Sequence, residues 1–221
     1  MLEVHNLLRR VRSADSIRHF VETELLGSVP WIFSGDETRF GDWRTRVATA
    51  ANLNATAIHL VGSASTGYSL SPLKPGRAFR RVGARDTKPS DIDIAIIDAR
   101  LFLDVWDVIV GYDRRHQLRR ILPRSGYQPA DDELVRVRQN VYWGTIAHTS
   151  APPGTDVSRR FRSVFSATTR DRPFLGHPAK ARVYRRRDDL VAYHEQSVQQ
   201  LVRTLESKEY RNEVFGNSNE P

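Results

Sequence analysis

The segment PSDIDIAIID, Pro89 to Asp98, constrains the chain more than any other stretch. Ile92, Ile94 and Ile96 alternate with Asp91, Asp93 and Ala95, and a period of two places the isoleucines on one face of a β-strand and both carboxylates on the other. The isoleucine face demands a core. The opposite face holds two acids about 7 Å apart along the strand. Carboxylates that close repel unless a positive charge lies between them, and two carboxylates completed by water and phosphate oxygens are an ordinary setting for Mg²⁺.

A phosphate-binding partner for those acids stands upstream in HLVGSASTGYS. The apolar and β-branched residues before Gly62 predict a short strand ending there, and Ser63 is expected to open a helix. Gly62 allows close backbone approach, while the Ser63 hydroxyl and the amides of a helix start suit an anion.

GSASTG followed downstream by SDIDIAII resembles the signature of the nucleotidyltransferase superfamily with the DNA polymerase β type of catalytic domain. That superfamily includes poly(A) polymerases, CCA-adding enzymes, aminoglycoside nucleotidyltransferases, minimal antitoxin transferases and cyclic-oligonucleotide synthases. The resemblance covers about Ile58 to Ile97. It implies an α+β fold, with a small mixed or antiparallel sheet of nucleotidyltransferase topology packed against and flanked by helices. It implies nucleotide binding by Gly62 and Ser63, and catalytic Asp91 and Asp93 as ligands of Mg²⁺ or Mn²⁺. The implied reaction moves a nucleoside monophosphate from an NTP to a hydroxyl on an RNA end, a protein, a nucleotide or a small molecule. The alternative is a catalytically impaired member that senses nucleotide or RNA, or neutralises a toxin as its protein partner.

Two departures bear on that choice. The insert PLKPGRAFRRVGARDTKPS separates the serine from the aspartates and carries Lys74, Arg77, Arg80, Arg81, Arg85 and Lys88; it is either a clamp for a triphosphate or RNA end, or a solvated excursion. Active members usually carry a third carboxylate on a later strand. The best later strand here, ARVYRRR, holds no acid, and Asp188 and Asp189 beyond it are expected to cap the following helix.

Elsewhere the pattern is mainly helical. Helices are expected around Val4 to Val11, over SADSIRHFVETELLG with Ser13 or Asp15 as cap, over WRTRVATAANL and over ARLFLDVWDVIVGYDRRHQLRRIL with a break at Gly111. Further helices are expected over DDELVRVRQNVYWGTI, RRFRSVFSATT and DDLVAYHEQSVQQLVRTLESKEY, whereas SVPWIFSGDETRFGD reads as a loop anchored by Trp31, Ile32 and Phe33. The expected organisation is one module, with a core over about 42–190, helical additions over 1–27 and 188–210, and a loose tail over 211–221.

A net charge of +8 favours an anionic partner. Arginines at 114, 115, 119 and 120, at 159, 160 and 162, and at 182, 185, 186 and 187 form either one nucleic-acid face or several solvated ones. The absence of cysteine excludes disulfides, thiolate metal sites and cysteine nucleophiles. No apolar run approaches the roughly 20 residues that span a bilayer, and the N-terminus lacks the apolar core of a secretory signal, so the expectation is a cytoplasmic protein without a membrane partner. His59 is expected to be a core or edge residue, and GSASTG lacks the spacing of a hydrolase nucleophile elbow.

Overall fold

The computed structural model describes residues 9–11, 13–83, 88–114, 137, 139–170 and 172–207. Helix α1, Ile17–Phe20, starts where the Ser16 hydroxyl accepts from the His19 amide at 3.0 Å, and continues as a π-helical turn over Val21–Leu25. Ser16 thus takes the capping role expected of Ser13 or Asp15. Helix α2, Glu37–Ala51, begins earlier than its apolar pattern suggests, because the Asp36 carboxylate caps it by accepting from the Arg39 amide at 2.9 Å. The expected loop over SVPWIFSGDETRFGD is therefore helical from Glu37, with Gly41 absorbed in the helix.

Strand β1, Ile58–Val61, leads through Gly62 into α3, a single turn over Ser63–Thr66. After the insert come strand β2, Ile92–Ile97, and helix α4, Ala99–Arg114, which runs through Gly111 without the expected break. Strand β3, Thr145–Ala147, precedes helix α5, Asp156–Thr169, then strand β4, Ala179–Tyr184, and helix α6, Arg187–Glu206. The sequence pattern anticipates β1, β2 and β4 but assigns Thr145 and Ile146, the start of β3, to the end of a helix. The backbone turns at Gly144, φ +70°, before the strand begins. Helix α6 starts at an Arg186 N-cap, so Asp188 and Asp189 lie in its first turn and do not cap it. The acidic start of the helix expected over DDELVRVRQN, the residues 1–8 and 208–221, Arg85, Arg115, Arg119 and Arg120 lie outside the described residues.

The described sheet is mixed and four-stranded, in the order β1-β2-β4-β3: β1 and β2 are antiparallel, β2 and β4 parallel, β4 and β3 antiparallel. Its first face carries Ile58, Leu60, Ile92, Ile94, Ile96, Ala181 and Val183 into a core with Trp43 and Val47 of α2, Leu101 and Val105 of α4, and Phe161 and Val164 of α5. Full burial of each isoleucine contributes about 1.5–3 kcal/mol, which holds β2 at the centre of the molecule. On the second face, Val61, Ala95 and Tyr184 pack against Leu190 of α6. The rest of α6 turns Val191, Val198, Leu201 and Leu205 toward Phe20, Val21 and Leu25 of the N-terminal helical segment. Helices thus flank both faces. No helix among the described residues is long and apolar enough to cross a membrane.

Candidate functional site

The second face of the sheet is only partly covered, and the uncovered part is a cavity of about 680 Å³ lined by Gly62, Ser63, Asp91 and Asp93 together. The parallel register pairs Asp93 with Lys180 and Ala95 with Arg182, so alternation along β4 places Lys180, Arg182 and Tyr184 on the face that carries the aspartates. Lys180 and Arg182 line the cavity, as do Tyr193, His194, Ser197 and Gln200 of α6 and Lys74 and Arg77 of the insert.

Gly62 and Asp93 are interlocked. Val61 pairs with Asp93 across the β1–β2 ladder, so the turn after β1 passes directly over the Asp93 side chain. The Gly62 backbone is left-handed, φ +66° and ψ −153°, and a Cβ placed there would stand 2.7 Å from Asp93 Oδ2. A residue with a side chain fits neither the dihedrals nor the space. In the turn that follows, the amides of Ser65 and Thr66 donate back to the Gly62 carbonyl at 3.1 and 3.3 Å. The first amides of any helical turn have no carbonyl within it to receive them, which leaves those of Ser63 and Ala64 to another acceptor.

The two aspartates are unequal. Asp91 is partly exposed and its Oδ2 lies 2.6 Å from the Lys180 ammonium, which gives it a counter-charge. Asp93 is more enclosed. Burial, followed by the neighbouring Asp91 charge, raises its pKa to about 6 against the pull of Lys180, Arg182 and Lys74. The hydrogen bond to Asp91 in turn raises the Lys180 pKa. Further along, the Arg182 guanidinium sits 4.8 Å from the centre of the Tyr193 ring and donates to Thr145 Oγ1 at 3.4 Å. His194 is buried beside this stack. Burial lowers its pKa to about 4, and its Nε2 finds no hydrogen-bond partner among the described residues.

The insert is folded where it is described. Ser69 and Phe79 amides donate to Arg77 and Gly67 carbonyls at 2.8 Å each, and the Ser90 amide closes the base on Arg80 at 3.0 Å. Phe79 is buried against Trp31 and His177, with ring centroids 5.7 and 5.1 Å away. This hairpin-like course delivers Lys74 and Arg77 to the cavity, whereas Arg81 lies over the Trp31 ring at 5.6 Å and Lys88 is exposed. Several of the later arginines that are described have acidic partners of their own. Arg159 pairs with Asp156, Arg160 with Asp104, and Arg185 and Arg186 with Asp189, while Arg182 belongs to the cavity.

Among the described residues, Asp91 and Asp93 are the carboxylates that line the cavity. Asp98 accepts from the Leu101 amide at 2.6 Å, Asp188 meets Arg18 at 3.2 Å, and Asp189 meets Arg185 at 3.2 Å. Among the described residues no group of three or more His, Cys, Asp or Glu is placed to hold a metal. Reasoning from sequence names Arg182 only within a basic cluster and passes over Lys180, Tyr193 and His194 as site residues. The alternation K-A-R-V-Y and the spacing Tyr193, Ser197, Gln200 along one side of the helix are the signals that would find them. Comparison of the chain with protein-family models, with curated proteins and with solved structures finds no match.

Proposed function

We propose that this chain has the nucleotidyltransferase fold, binds a nucleoside triphosphate as its Mg²⁺ complex in the cavity over β2 and β4, and moves the nucleoside monophosphate to an acceptor hydroxyl. The observation that carries this reading is the interlock of Gly62 with Asp93, which sets a tight glycine-serine turn and a pair of carboxylates against each other in one cationic cavity. A mixed sheet with the glycine-serine turn and the aspartates on adjacent antiparallel strands supports it.

Asp91 and Asp93 fit one divalent ion that arrives with phosphate oxygens of its own, and Mn²⁺ would suit the same oxygens. Such an ion withdraws electron density from the phosphate it touches. The rest of the binding belongs to the chain. Ser63 and the amides at the start of α3 face the terminal phosphates, and Lys74, Arg77 and Arg182 balance the remaining charge. Tyr193 and Arg182 offer a flat surface for a base. In the transfer, the acceptor oxygen bonds to the α-phosphorus as its bond to the bridging oxygen breaks; pyrophosphate leaves and the hydroxyl proton passes to water.

One observation favours the second reading, nucleotide or RNA binding without transfer: Lys180 stands on β4 where a third carboxylate would be sought. The test incubates the protein with each α-labelled NTP, Mg²⁺ or Mn²⁺ and total RNA, and follows label into RNA, protein and small-molecule fractions. Transfer that disappears in Asp91→Ala and Asp93→Ala supports the first reading and identifies the acceptor. Saturable binding of NTP or RNA without transfer selects the second, and absence of binding to either refutes both.

A further inference from the structure

Many phosphoryl-transfer sites hold two divalent ions about 3.5–4 Å apart between their carboxylates, and here the Lys180 ammonium occupies the flank of Asp91 where the second would bind. It is the register neighbour of Asp93 on a parallel strand, where backbones run about 4.8 Å apart, and its Nζ is 2.6 Å from Asp91 Oδ2. Binding a second divalent ion there would require Lys180 to withdraw from Asp91, and no third carboxylate among the described residues would compensate. Asp98, Asp188 and Asp189 follow the far ends of β2 and β4, outside the cavity lining, and are held by Leu101, Arg18 and Arg185. A lysine side chain is a compact point charge with three donors, so it can bridge Asp91 to a phosphate oxygen as an ion would, though it cannot accept the oxygen of an acceptor as a ligand.

We infer that Lys180 replaces the second divalent ion, so that the cavity takes a nucleoside triphosphate with one divalent ion, held by Asp93 and shared by Asp91. This rests on the proposed nucleotide binding and narrows it: metal supplies one of the two central positive charges, and the chain supplies the other. It holds for a slow transferase and for a non-transferring binder alike, because it concerns the composition of the bound complex.

The experiment counts manganese. The full chain is mixed with Mn²⁺ and a non-hydrolysable analogue of ATP, GTP, CTP or UTP, and bound Mn²⁺ per bound nucleotide is measured by electron paramagnetic resonance with equilibrium dialysis. The wild type is expected to hold one Mn²⁺ per nucleotide. Lys180→Asp places a third carboxylate beside Asp93 and is expected to hold two. Lys180→Met removes the charge without adding a ligand; it is expected to keep one Mn²⁺ and to bind the analogue about tenfold more weakly, the loss of one charge-assisted contact. Two Mn²⁺ in the wild type, or unchanged affinity in Lys180→Met, would overturn the inference while leaving nucleotide binding intact. A wild type that binds none of the four analogues would remove the functional reading itself, and the inference with it. Should Lys180→Asp fail to fold, the wild-type count and the Lys180→Met affinity decide the matter.

Discussion

Gly62→Ala tests the fold and the site at a single atom. The added Cβ meets two obstacles: backbone dihedrals of +66° and −153°, and the Asp93 Oδ2 at 2.7 Å. Backbone in that region costs a residue with a side chain about 1–3 kcal/mol. Relief of the clash requires the Asp93 carboxylate to leave its rotamer, at about a further 1 kcal/mol. The sum, about 2–4 kcal/mol, lowers the Tm of a chain this size by about 5–15 °C. A control is available within the same protein: Gly41 lies inside α2 and a Cβ there meets nothing within 4 Å. Gly41→Ala is therefore expected to stabilise by about 0.5–1 kcal/mol through helix propensity. Urea unfolding of both variants gives the two signs directly, and titration with the NTP analogues should show Gly62→Ala weakened at least about tenfold through its displaced carboxylate while Gly41→Ala stays at wild-type affinity. A Gly62→Ala protein within about 0.5 kcal/mol of wild type, binding nucleotide normally, would refute the interlock.

Two more outcomes follow from the charges around the cavity. The double charge reversal Lys74→Glu with Arg77→Glu should weaken triphosphate binding by at least about tenfold and flatten its dependence on salt, with unfolding stability nearly unchanged because both side chains are exposed; equal salt slopes in wild type and variant would contradict the placement of the insert. Burial holds His59 and His194 near pKa 4, so each contributes stability present above the unfolded value near 6.5 and lost, up to about 3 kcal/mol, as pH falls toward 4. Asp93, raised to about 6, has the opposite sign and gains stability over nearly the same acid range, leaving a net loss of about 3 kcal/mol. Denaturant titrations at pH 7 and 4.5 should show that loss in the wild type and a smaller one in His194→Gln; a steeper acid loss in the variant would contradict the burial argument.

The parts of the molecule legible in the sequence are those where period and burial coincide. IDIAII and IHLV give β2 and β1 because their apolar residues enter the cores on either side of the sheet, and ARVY gives most of β4. Strand β3 was hidden because three residues, TIA, are too short to show a period and its order is set by pairing with β4. Helix α2 starts early for a reason that apolar periodicity does not carry, the Asp36 cap. At the site, Gly62, Ser63, Asp91 and Asp93 are legible because each sits on an element with its own local signal. Lys180 is not, because its role depends on which strand lies beside β2 and in which register. Nothing within HPAKARVY states that Ala179, and not a neighbour, pairs with Ile92.

The inequality of the two aspartates follows from that same register. Moving β4 by one residue would turn Lys180 and Arg182 into the core and leave Asp91 and Asp93 facing alanine and valine side chains. In the observed register Asp91 has its counter-charge at 2.6 Å, while Asp93 sits deeper, under the Gly62 turn, with its ionised form disfavoured by burial and by Asp91. A cation entering with the proposed triphosphate would thus relieve more unfavourable charge at Asp93 than at Asp91. Binding of the proposed complex would therefore stabilise the folded chain by mass action. On the proposed reading, the geometry that makes Asp93 costly in the free protein would favour a ligand carrying one positive ion and several negative oxygens.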